Sequence, residues 1–130
     1  MSIRVDLADL PHHIARRGGG FLLTSIMDSR PHVAHLRFEV AAAEDQVQLR
    51  AQVGRTSHAN CRHRPAVTVL FPALVPGSIE DGPAVVDATN IDEYSLILDG
   101  EARPDGDSHV IIAVTDSVFH RPAPDSGGDR

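Results

Sequence analysis

The sequence has 130 residues, is 42% hydrophobic and 23% charged, and carries a formal charge of −6; that length holds one core, and the composition excludes wholesale disorder, collagen-like repeats and coiled coils. All 12 basic residues are arginine, which excludes Schiff-base catalysis and any lysine phosphate anchor. The acidic balance argues against a nucleic-acid partner, the strand-length apolar runs against a membrane span, and the single cysteine, Cys61, against an internal disulfide, so the expected location is the cytoplasm.

From the N-terminus, residues 9–17 read as a short helix, with Asp9 as N-cap, Pro11 in the first turn and Arg16 and Arg17 at the C-terminal end. Gly18-Gly-Gly20 is expected to stop it. Phe21 to Met27 is an apolar run closed by the turn Asp28-Ser-Arg-Pro31. His32 to Ala42 and Gln46 to Val53 form the clearest hairpin. A turn centred on Glu44-Asp45 pairs Ala42 with Val47, Val40 with Leu49, Phe38 with Ala51 and Leu36 with Val53 on the apolar face. Ala41 with Gln48, Glu39 with Arg50 and Arg37 with Gln52 then fall on the other face.

Arg55 to Arg64 lacks strand alternation and reads as a phosphate-sized loop leading into one or two helical turns that stop at Pro65. Ala66 to Phe71 is a nearly continuous apolar strand of the kind buried on both faces. Pro76 to Asn90 is a long loop with two glycines. Tyr94 to Arg103 and His109 to Phe119 form a second hairpin across Pro104-Asp-Gly-Asp107, and the tail from Pro122 is expected to be disordered. Six strands and two short helical pieces give a mainly β fold, a closed or nearly closed antiparallel barrel.

The chemistry concentrates at Arg55-Thr-Ser-His58. A phosphate dianion takes hydroxyl donors, backbone amides at a helix start and a guanidinium, and Arg55, Thr56 and Ser57 supply all three; an ordinary capped turn is the alternative. Glu39 and Arg50 read as a cross-strand ion pair. The eight histidines do not pair as metal ligands. His12 and His13 are adjacent on a helix, His32 and His35 differ in strand parity, and His58 and His63 stand five apart. Cys61 reads as a small core residue.

Gly20-Phe-Leu-Leu-Thr-Ser25, Arg30-Pro-His-Val33, Thr56-Ser-His-Ala-Asn60, Arg64-Pro-Ala-Val-Thr-Val-Leu-Phe-Pro72 and Tyr94-Ser-Leu-Ile-Leu-Asp-Gly-Glu-Ala102 stand in an order and spacing that resembles the pyridoxamine 5′-phosphate oxidase-like flavin-binding split barrels, across roughly residues 12 to 122. The resemblance implies a six-stranded antiparallel split β-barrel with short helices over residues 1–122, followed by a flexible tail over 123–130. It also implies a homodimer holding FMN, or alternatively the deazaflavin F420, in a groove between subunits, and a small oxidoreductase acting on a small molecule. Carried onto this chain, Arg55, Thr56, Ser57 and His58 hold the phosphate with help from Arg50, the backbone of His32, Val33, Ala34 and His35 lines the ring, and Asn60 braces the loop. Many relatives place lysine after the Ser/Thr and on the second strand. Here those places hold Ser57 or His58, and a position near Glu39. The chain also lacks tryptophan, so oxidation of pyridoxamine phosphate itself is not expected. A non-catalytic binding module and a haem-handling relative are the alternatives.

Overall fold

The computed structural model describes residues 2–26, 30–43, 45–75 and 90–121. In chain order its elements are β1 (Ser2–Arg4), α1 (Leu10–Arg17), β2 (Gly19–Thr24), β3 (His32–Arg37), β4 (Glu39–Ala43), β5 (Gln46–Gln52), α2 (Arg55–His63), β6 (Ala66–Phe71), a 3-10 turn (Ile91–Glu93), β7 (Ser95–Asp105) and β8 (His109–His120). The strands form one antiparallel sheet in the order β3-β2-β6-β7-β8-β5-β4, with β1 added to β8, and the sheet is curled into a half-barrel. No helix among the described residues is long and apolar enough to cross a membrane.

The helix α1 forms where expected because Leu10, Ile14 and Arg17, at i, i+4 and i+7, share one buried face. Its start differs in detail. Asp9 occupies the N-cap position, but with φ −91° and ψ −15° it is already close to helical, and its side chain caps nothing. Gly18 alone ends the helix: at φ 74° it adopts the left-handed side of φ space, and its amide donates to the Ile14 carbonyl at 3.1 Å. Gly19 and Gly20, expected to belong to the stop, begin β2 instead.

All six expected strands are present, and the sheet has eight for two reasons. β1 is three residues long, too short for a period to show. The long strand expected over His32 to Ala42 is interrupted at Phe38, so that β3 pairs with β2 and β4 with β5. The expected register holds from Glu39–Arg50 through Ala42–Val47. Phe38–Ala51 and Leu36–Val53 do not pair: Leu36 faces Gly20, and the Val53 amide donates to the Ser108 carbonyl at 2.8 Å. Phe38 turns its ring edge onto Phe71 at 5.6 Å while the chain changes partner. The second hairpin closes at Asp105–His109 around Gly106, with φ 67°. The expected turn at 28–31 lies partly, the long loop all but Asn90, and the tail wholly outside the described residues.

The core is the concave side, where Leu22, Leu49, Val69, Phe71, Leu96, Leu98 and Ile112 are essentially fully buried. β6 is not buried on both faces as its sequence implied. Val67, Val69 and Phe71 are buried, whereas Thr68 and Leu70 are half-exposed on the convex side. There the register lines up Phe21, Leu70, Ile97 and Val118 across four strands, a half-buried apolar row with His35 at its end, stacked on Phe21 at 4.7 Å. Arg17, 8% exposed, joins α1 to the segment before β7, its guanidinium donating to the carbonyls of Ile91 at 3.0 Å and Tyr94 at 2.9 Å.

Candidate functional site

The helix α2 starts directly at Arg55, which corrects the expectation of a loop there: Arg55, Thr56 and Ser57 are its first turn. Gly54 precedes them in an extended conformation (φ −76°, ψ 174°) and offers no side-chain cap. Helix N-termini carry amides without an intrahelical acceptor and a partial positive charge. This one has no acidic residue in its first turn. Arg55 and Thr56 are exposed beside those amides, and Arg55 has no ion-pair partner among the described residues. Ser57 is 1% exposed and turns its hydroxyl inward.

The helix packs against β2, β3, β7 and β8, and two side chains fix it. His58 Nε2 lies 2.8 Å from the Gly106 carbonyl in the β7–β8 turn; since a carbonyl only accepts, Nε2 carries the proton and donates. Asn60 Nδ2 donates to Thr24 Oγ1 at 3.0 Å, with both side chains buried. Thr24 in turn pairs with His32 at the start of β3. The Arg55 end of α2 therefore lies toward the β7–β8 turn and the Asn60 end toward β2 and β3. With 1.5 Å of rise per residue, these ends are about 7 Å apart along the axis.

Not every expected residue is free for a ligand. Arg50 Nε donates to Asp105 Oδ2 at 2.7 Å, and its Nη1 lies 3.8 Å from Glu39 Oε2. Two carboxylates thus claim one guanidinium, whose hydrogen bond holds the Asp105 carboxyl below the usual range. The Glu39–Arg50 ion pair read from the sequence is present, with Asp105 as the nearer partner, which hairpin pattern alone does not reveal. His32, Val33, Ala34 and His35 lie in β3, an edge of the sheet; Val33 is 53% exposed, and His35 rests on Phe21. Cys61 is buried, and burial pushes its thiol up to about 11, so it serves the core. Among the described residues no three His, Cys, Asp or Glu side chains are placed to hold a metal.

A groove of about 450 Å³ is lined by Thr24, Ser25, Pro31, Thr68, Asp99 and Glu101 among others, residues of β2, β6 and β7 and the segment after β2, with Thr24 also bonded to α2. Thr68 Oγ1 donates to Asp99 Oδ1 at 2.9 Å. Thr68 faces Asp99 only because β6 and β7 pair in this register; sequence reasoning missed these residues, since their own strands carry no sign of the neighbour. The donor set of the α2 start, open amides with a guanidinium and a hydroxyl, fits a phosphate. Arg50 and His58, already engaged, do not add to it.

No family model and no curated protein matches the sequence. Solved structures do. A pyridoxamine 5′-phosphate oxidase-like protein from Listeria innocua is 16% identical, with 84% of this chain and 91% of that one covered and a TM-score of 0.53. The FAD binding protein from Mycobacterium smegmatis is 15% identical, with 93% and 100% covered and a TM-score of 0.54. An F420 reductase is 18% identical, with 84% and 94% covered and a TM-score of 0.50. These likenesses establish a split-barrel fold of the pyridoxamine 5′-phosphate oxidase-like kind, the fold the sequence resemblance implied.

Proposed function

We propose that this chain binds a phosphate-bearing flavin-type cofactor, FMN or alternatively F420, in a groove between two copies of itself, and acts as a cytoplasmic oxidoreductase on a small molecule. The observation that carries this reading is the first turn of α2, uncapped, free of acids and flanked by Arg55 and Thr56, on a fold shared with an FAD binding protein and an F420 reductase. Arg55, Thr56 and the first amides hold the phosphate. Asn60 keeps the helix on β2, and the β3 backbone from His32 to His35 borders the ring. The cofactor supplies hydride or electron transfer when bound; the chain binds it, orients it and excludes water. The convex apolar row of Phe21, Leu70, Ile97 and Val118 supports self-association, because half-buried apolar side chains gain from being covered.

Absorbance and fluorescence titration with FMN and F420 tests the reading. One of them binds the native chain, and Arg55→Ala weakens it by about tenfold or more, the worth of a charge-assisted phosphate contact. A folded protein that binds neither overturns the proposal, and a strictly monomeric one in sedimentation removes the between-subunit groove. A non-catalytic binding module is the second reading. It is favoured by the engagement of Arg50 with Asp105 and of His58 with Gly106, which leaves the phosphate fewer side-chain donors.

A further inference from the structure

A cleft of about 590 Å³ lies between α1 and the segment formed by β1 and the turn after it, and none of the proposed cofactor residues line it. Its volume is that of small-molecule sites. Ile3, Val5, Ile91 and Phe119 form an apolar wall. His13 leans on Phe119 edge to face at 4.9 Å, with a buried Nδ1 that has no hydrogen-bond partner among the described residues.

The charges of the cleft are balanced in number and not in effect. Arg4, Arg16, Asp6 and Asp9 line it. Both arginines are already neutralised by acids from outside the cleft, Arg4 by Asp116 at 2.7 Å and Arg16 by Asp92. Asp6 and Asp9 have no ion-pair partner among the described residues. Asp9 moreover stands at a helix N-cap without spending its carboxylate on the helix amides, an unusual omission for that residue there. Burial, and then the charge of Arg17, hold the His13 imidazole below its ordinary value, so at neutral pH it adds no opposing charge. Arg17 does not line the cleft, but its guanidinium lies 5.6 Å from the centre of the Phe119 ring and donates to carbonyls of His13, Ile91 and Tyr94, which hold it in place without cancelling its charge. What remains is an apolar wall, the exposed imidazole of His12, and two exposed carboxylates without an ion-pair partner among the described residues.

We propose that this cleft binds a protonated amine carried on a flat apolar body, an arylalkylammonium ion, with the ammonium at Asp6 and Asp9 and the ring against Val5, Ile91 and Phe119. An anion is disfavoured, so the site is separate from the phosphate-binding start of α2 and does not depend on the cofactor reading. The test titrates the full chain with tryptamine and, separately, with indole-3-propionate, which carries the same ring on an arm of similar length with the opposite charge. Tryptamine is expected to bind about tenfold more tightly, an advantage that shrinks at 0.5 M NaCl because the carboxylates are exposed. The double variant Asp6→Asn/Asp9→Asn is expected to erase the preference. Ala8→Trp, at an exposed turn position lining the cleft, is expected to block both ligands without unfolding the chain. Equal affinity for the two ligands, no binding of tryptamine, or undiminished binding by the Ala8→Trp variant overturns the proposal.

Discussion

Replacing Asn60 by alanine separates bracing from ligand contact. Asn60 is 4% exposed and Thr24 2%, and their 3.0 Å bond is the side-chain tie between α2 and β2. Losing it removes a net contribution of about 1 kcal/mol, and leaving the Thr24 hydroxyl buried without its donor adds a further cost of about 1–2 kcal/mol. Asn60→Ala should therefore destabilise the fold by about 2–3 kcal/mol in urea unfolding. In a chain of this size that corresponds to a fall of roughly 6–12 °C in Tm. Thr24→Val breaks the same bond from the other side and strands the Asn60 amide. In a double-mutant cycle the two substitutions should be coupled by about 1 kcal/mol, since the second finds the bond already gone. A stability loss under about 0.5 kcal/mol for Asn60→Ala, together with no coupling, would refute the bracing role. A side chain that only touched a ligand would leave unfolding unchanged and lower affinity alone.

Gly100 sits at the β7 bulge, where an added Cβ would lie 2.6 Å from the Ala113 carbonyl oxygen and 2.7 Å from Ile112 Cγ2. Backbone cannot yield as a flexible side chain does, so Gly100→Ala should cost about 3 kcal/mol or more, read from the urea midpoint. His13, held by burial and by Arg17 below the ordinary imidazole value of 6.5, takes up protons more readily in the unfolded chain. Its contribution to stability is thus complete above about pH 6.5, is lost as pH falls from there to its native value, and is level below that; His13→Gln should flatten the unfolding free energy across that window. Cys61, with its thiol at about 11, should resist a thiol reagent at pH 8 in the native protein and react at once in urea.

Local pattern carried much of the fold. The β4–β5 register was legible because apolar and polar residues alternate on both arms, and a slip by one would have turned Val47 and Leu49 outward. The break at Phe38 was not legible, since Leu36, Phe38 and Val40 keep one parity straight through it; alternation reports which way a side chain faces and is silent about which strand lies alongside. The start of α2 was misplaced by its hydroxyls, which suit a turn as well as a helix start. At the candidate site, Arg55 and Thr56 were singled out by residue type, and the structure leaves them exposed at the start of α2. The commitments of Arg50 to Asp105 and of His58 to Gly106 were not, because those partners stand 55 and 48 residues away and nothing local announces them. The groove acids Asp99 and Glu101 were missed because a carboxylate on a polar strand face looks like ordinary solvation until a cavity lies beside it.

The strand β8 has a consequence for how the chain is made. One of its edges runs along β7, and the other is shared by β5 near its start and β1 at its end. Ser2 meets His120 across 118 residues of sequence. Synthesis delivers this shared strand after the other described strands, so β1 and the edge of β5 that faces it wait without their partner until residues 109–120 have been made. Pairings of such long separation slow folding, and the waiting edges are open to other chains. A chain cut short before residue 109 lacks the strand that joins β1 and β5 to β7.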